Sequence, residues 1–104
     1  DVLVTPTLAS PPPVNATDGD TLGPVEINGE EMERCIGWCM TYPINFTGNP
    51  AASIPAGFTD DNLPIGMQII GRRHDDETVL AVSAAFERTH PWHHKYLELE
   101  ASFS

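Results

Sequence analysis

Two apolar runs of strand type flank a cluster of turn residues, and this arrangement constrains the fold more than any other feature of the sequence. Ala52-Ser-Ile-Pro-Ala56 and Pro64-Ile-Gly-Met-Gln-Ile-Ile70 bracket Thr59-Asp-Asp-Asn62, so the chain is expected to reverse in a β-hairpin. Asn62 is one of the few non-glycine residues that tolerate positive φ, which a type I′ turn requires. Pro55 has no amide donor, which puts it on a sheet edge or beside a bulge. A further strand-type run, Asp1-Val-Leu-Val-Thr-Pro6, opens the chain and is stopped by its proline. A strand that begins at the first residue is expected of a piece cut from something longer.

Helical periodicity appears twice. From Asp75 to Thr89, Asp75 is placed to cap, Asp76 and Glu77 occupy the first turn, and Val79, Val82 and Phe86 share one face. Leu80 is expected to widen that face, Arg88 suits the C-terminal end of the dipole, and Pro91 forbids continuation. Glu30 to Met40 also reads as a helix, with acids early and Met32, Ile36, Cys39 and Met40 on one side. Pro43 should end that helix, leaving Pro43–Pro50 as a turn-rich linker. Residues 6–29 hold Pro11-Pro12-Pro13 and a small, acidic stretch, and read as a long mobile loop. The tail after Trp92 is expected to form a short surface helix.

Charge narrows the function. The 104 residues carry 15 acids against 5 lysines and arginines, a formal charge of −10, and such a field repels phosphate backbones. No nucleic acid is expected to bind this segment. Apolar runs never approach the length of a membrane helix, and no basic stretch precedes an apolar one at the start. Cys35 and Cys39 are too few for a disulfide framework or a zinc site, so reduced thiols and a cytoplasmic location are expected.

Recognised catalytic motifs are missing: there is no G-x-S-x-G, G-x-G-x-x-G, Walker loop or H-E-x-x-H. Asp18-Gly-Asp20 begins like a calcium loop, but Leu22 and Gly29 stand where ligands are required. His90, His93 and His94 cluster beside Trp92 and read as a polar tail rather than a metal site. Ser53 lies among alanines with no base near it in sequence, so it reads as a small structural residue.

The centre of the chain carries a more specific pattern. Pro43-Ile-Asn45-Phe-Thr-Gly48-Asn-Pro50-Ala-Ala-Ser-Ile-Pro55-Ala-Gly57, followed by Leu63-Pro64-Ile-Gly66-Met-Gln68-Ile-Ile-Gly71, resembles the C-terminal portion of the amidase signature family. Asp1-Val-Leu-Val-Thr5-Pro6-Thr7 is similar to that family's strand ending in Pro-Thr, and Asp76-Glu77 through Phe86-Glu87 to its final helix. The resemblance implies an α/β fold, a mixed β-sheet covered by helices, of which residues 1–104 form a C-terminal fragment. It implies hydrolysis of the C–N bond of carboxamides by a serine, a second serine on a cis peptide bond and a neutral lysine, with no cofactor and no metal. None of those three residues has a counterpart here, since Lys95 lies in the tail. The segment alone is therefore expected to be inactive and to complete the sheet and the pocket.

Its partners would be the remainder of the amidase chain and a small-molecule amide, with no membrane; a homo-oligomer is compatible with the sequence. Two alternatives stand beside a simple amidase. One is the A subunit of the glutamine-dependent tRNA amidotransferase, which shares the fold. The other is a non-catalytic module retaining the segment for binding or structure. In the amidotransferase, the resemblance implies an acidic residue before the Pro-x-Asn-x-x-Gly stretch, to hold the amino group of glutamine. That place falls on or next to Trp38, where an indole offers apolar area and one N–H donor. Trp38, with Tyr42 one turn later on the expected helix, is therefore the candidate substrate-binding pair, suited to an apolar or aromatic amide.

Overall fold

In the computed structural model, which describes residues 1–104, the hairpin forms and recruits a third strand. Strand β4 (Ala51–Phe58) and strand β5 (Pro64–Ile70) pair antiparallel, and β1 (Leu3–Pro6) pairs antiparallel with the other edge of β5, giving the order β1-β5-β4. Ser53 sits opposite Gln68 and Thr5 opposite Gln68 from the other side. The register slips between Pro55 and Gly57, so the proline lies in an edge strand at a bulge, where a missing donor breaks no ladder. Between the strands, the Thr59 carbonyl accepts from the Asn62 amide at 2.9 Å, and the Thr59 amide donates to the Leu63 carbonyl at 2.9 Å. Only Asn62 of this loop has positive φ, at 62°. The connection is thus a longer loop closed by one left-handed residue, not the two-residue type I′ turn.

Side chains alternate across β5. Gln68 and Ile70 face one side and Ile69 the other, and all three are buried. Helix α2 (Asp76–Thr89) covers the Ile69 side. Asp75 accepts the Thr78 amide at 3.2 Å as its cap, and the Thr78 hydroxyl together with this amide holds the Asp75 carboxyl below its ordinary pKa. Val79 is 3% exposed and packs against Gly71, where an added Cβ would lie 2.6 Å from Val79 Cγ2; the close approach of helix and strand needs a glycine there. Leu80 does not widen this face: it is 67% exposed, because a residue one step from Val79 points about 100° away from the sheet.

The other expected helix is absent. Glu30–Glu31 form strand β3, paired with β2 (Glu26–Ile27) in a small separate hairpin. Beyond it the Glu33 carboxylate takes the amides of Cys35, Ile36 and Gly37 at 3.0, 2.8 and 3.2 Å. A side chain that collects these donors competes with the helical ladder. Helix α1 (Tyr42–Thr47) occupies the stretch that reads as a linker, with Pro43 in its first turn. Proline costs little there, since first-turn amides have no intrahelical partner. Helix α3 (His94–Ser102) closes the chain.

Little of this surface is dry. Six residues are buried, and the accessible area is 7700 Å², against roughly 5,700 Å² for a folded monomer of this mass. The radius of gyration is 15.8 Å, where about 13 Å is usual for the length. Val14, Phe46 and Phe103 are 94%, 86% and 84% exposed. Burial is concentrated at the end of β5, and many large apolar side chains elsewhere are exposed.

The turn supplies a direct check. Asn62→Gly should be neutral or stabilising by a few tenths of a kcal/mol, since glycine meets positive φ freely. Asn62→Val should cost about 1 kcal/mol or more. Equal midpoints for the two variants in urea unfolding would show that the left-handed residue does not control the loop.

Candidate functional site

Trp38 and Tyr42 do not share a helix. The sheet side occupied by Gln68 bears a polar row: Thr5 and Ser53 flank Gln68, and Thr7 lies just beyond Pro6. Against this row runs the irregular segment 38–41. Its backbone docks on the continuation of β1, where the Ala9 amide donates to the Trp38 carbonyl at 2.9 Å and the Met40 amide to the Thr7 carbonyl at 3.1 Å. Leu8 and Cys39 thereby form an isolated antiparallel bridge. The Met40 amide and the Trp38 carbonyl, both of which a helix through 30–42 would use, are spent on this long-range pairing.

Trp38 is half-buried. Its indole Nε1 donates to the Arg34 carbonyl at 3.2 Å and rests on the backbone of Gly23, where a Cβ would come within 2.1 Å of Nε1. Gly23 is itself buried, its amide donating to the Arg34 carbonyl at 2.8 Å and its carbonyl accepting Arg34 Nε at 2.9 Å. The long connection from β1 is therefore tied down at 8–9 and 23–27, while 10–21 carries no regular secondary structure. Tyr42 opens α1 at 38% exposure, and its ring meets Phe46 edge-to-face at 6.4 Å. Segment 38–42 thus carries two separate aromatic residues, Trp38 anchored on Gly23 and Tyr42 in contact with Phe46.

Other candidates resolve into structural parts. Ser53 Oγ shares a 2.7 Å hydrogen bond with Thr7 Oγ1, a hydroxyl pair with no base attached. The Cys35 thiol is pushed up from its ordinary pKa by its hydrogen bond to the Glu33 carboxylate and by that group's charge, which suppresses the thiolate. Glu33 is itself held down, mainly by the Ile36 and Cys35 amides. The His90 ring stacks on Phe86 at 4.5 Å, and its Nδ1 lies 2.9 Å from the Thr89 hydroxyl. No three His, Cys, Asp or Glu side chains converge as metal ligands. Lys95 pairs with Glu98 at 2.9 Å and lies 5.7 Å from the Phe58 ring centroid. It lines a cavity of about 350 Å³ between the hairpin loop and α3, away from segment 38–42. Sequence reasoning passes over Gln68 and Thr7 as site residues. Their only signal is a polar residue at each place within an apolar strand pattern.

Comparison with known proteins follows the same outline. The profile of the Amidase family matches residues 1–80. An acylamidase of Rhodococcus erythropolis is 43% identical over 94 residues, 88% of this chain and 19% of that protein. The A subunit of the glutamyl-tRNA(Gln) amidotransferase of Lactococcus lactis subsp. cremoris is 55% identical over 56 residues, 54% of this chain and 11% of that protein. Its counterpart in Granulibacter bethesdensis is 43% identical over 95 residues, 91% of this chain and 17% of its own length. The crystal structure of a bacterial aryl acylamidase of the amidase signature enzymes superposes with a TM-score of 0.88 at 59% identity, covering 92% of this chain and 19% of that one. This chain thus spans less than a fifth of the length of these relatives.

The anchoring of Trp38 is open to test. Gly23→Ala places a methyl group inside the indole's position, so it should destabilise the fold by about 1–3 kcal/mol and speed amide exchange across 34–40. Gly19→Ala, with nothing within 4 Å, should be neutral. Matching effects from the two substitutions would show that the indole does not rest on Gly23.

Proposed function

The chain belongs to the amidase signature family, and from that membership we propose that it forms the sheet-completing, pocket-wall part of a longer amidase. The observation that carries this reading is the 59% identity to an aryl acylamidase over 92% of the chain. The exposed apolar area supports it, because a sheet with so few buried residues needs further elements to cover it. The serine nucleophile, the cis-peptide serine and the lysine would come from outside these residues. The serine would add to the amide carbonyl as its proton passes through the bridging serine to the neutral lysine. Backbone amides would hold the oxyanion while the proton returns through the bridging serine to the nitrogen and the C–N bond breaks; water would then attack the acyl-serine, releasing the acid and returning a proton to the serine. The substrate would be a carboxamide bearing an aromatic group, met by Trp38 and Tyr42. Two unpaired cysteines fit a reducing, cytoplasmic setting.

One observation favours a second reading: A subunits of the amidotransferase match at up to 55% identity over 56 residues. The residue expected to hold the glutamine ammonium is acidic, and Gly37, Trp38 and Cys39 are not. An indole cannot form that ion pair. The simple amidase is therefore the stronger reading.

Two measurements test it. In the full-length enzyme, Trp38→Ala should raise KM for aryl amides about tenfold, given about 1–1.5 kcal/mol for an aromatic contact, and leave acetamide nearly unchanged. Efficient glutaminase activity coupled to charged tRNA, with Trp38 dispensable, would overturn the reading for the amidotransferase. The isolated 104-residue segment should turn over neither aryl nor alkyl amides. Hydrolysis by it that disappears in Ser53→Ala would reveal a second active site.

A further inference from the structure

We infer that Gln68 is a positioning residue for the Trp38–Tyr42 wall, an assignment that rests on the pocket-wall reading. Gln68 is 2% exposed and lies on the central strand, beside Ile69 at 0% and Ile70 at 6%. Its Nε2 amide donates to Thr5 Oγ1 at 3.0 Å and to the Met40 carbonyl at 3.0 Å. Thr5 belongs to the neighbouring strand of the same sheet. Met40 stands midway between Trp38 and Tyr42 in the irregular segment.

The two donors of one buried amide on the central strand thus join β1 to the part of the chain that carries Trp38 and Tyr42. Backbone pairing with residues 7–9 ends at the Met40 amide. The Met40 carbonyl belongs to the next peptide plane, which leads through Thr41 into Tyr42. Its direction is set by Gln68. An isoleucine at this place would fill the strand as its neighbours do, without the desolvation cost of an amide. What the amide adds is a fixed direction for the Met40 carbonyl, a group that must be paired when it is turned toward the sheet.

The test uses the full-length enzyme with Gln68→Met, which keeps length and removes both donors, and Gln68→Asn, which keeps the amide and shortens its reach. Each is read by amide exchange over 38–44 and by KM and kcat for an aryl amide and for acetamide. Thr5→Val, which removes one partner and leaves the Met40 bond, is the control. Expected are faster exchange confined to 38–44 and a KM for the aryl amide raised about tenfold in both Gln68 variants. The kcat for acetamide should stay within about twofold, and Thr5→Val, which leaves one Gln68 N–H unpaired, should lower overall stability but leave exchange over 38–44 and the aryl KM within about twofold. In a Trp38→Ala background, Gln68→Met should then raise the aryl KM no further, as coupled residues require. Unchanged exchange over 38–44, or a parallel fall of kcat for both substrates, would overturn the positioning role while Trp38→Ala still discriminates. Faster exchange with Trp38→Ala blind to the substrate would instead overturn the pocket-wall reading, and the assignment with it.

Discussion

Everything in this segment hangs on the C-terminal half of β5. It is the only strand hydrogen-bonded on both sides, and Gln68, Ile69, Ile70 and Gly71 are four of the six buried residues. A strand flanked on both edges satisfies its backbone entirely within the sheet, so water can be excluded from it without an unpaired amide. Ile69 then buries against α2, and Gly71 lets the helix come close enough for Val79 to seal the contact. The Asn49 side chain and the Pro50 carbonyl reach back to Gly71 at 2.9 Å each, fixing the end of α1 to the same point.

The two faces of that strand divide the labour. One is apolar and holds α2. The other carries hydroxyls and an amide beside Ile70, and segment 38–42 is tied to it by the Gln68 bond to the Met40 carbonyl and by backbone bonds to residues 7–9. A polar face suits a place where chain geometry has to be set, because hydrogen bonds are directional and apolar contacts are not. The aromatic pair is consequently held by the sheet without belonging to it, with Trp38 anchored on Gly23 and Tyr42 leading α1.

Surface chemistry follows from what is missing as much as from what is present. Both ion pairs, Arg72–Asp1 and Lys95–Glu98, are solvent-accessible, and such pairs contribute little to stability. The Glu33 and Asp75 carboxylates are held down by backbone and hydroxyl donors that shape turns and caps.

Local rules alone determined the hairpin, the first strand, the edge position of Pro55, the left-handed Asn62 and the helix capped by Asp75. Each depends on contacts within a few residues, or on an alternation that any covering layer would reward. The family outline was likewise legible, because Pro43 to Gly71 keeps its turn residues and strand pattern in order. Tertiary structure decided the stretch from Glu30 to Met40. Its acids and apolar spacing favour a helix; the Glu33 carboxylate competes with that helix locally through the amides of 35–37, and the backbone of Trp38 and Met40 bonds to residues about thirty positions earlier. Pro43 shows the same division: it forbids a helix before it and begins one after it, and only the docking of residues 38–40 onto 7–9 selects which. Periodicity measures what a segment prefers by itself. Where its donors find partners across the fold, the partners win, since each buried backbone group left unpaired costs about 1–3 kcal/mol.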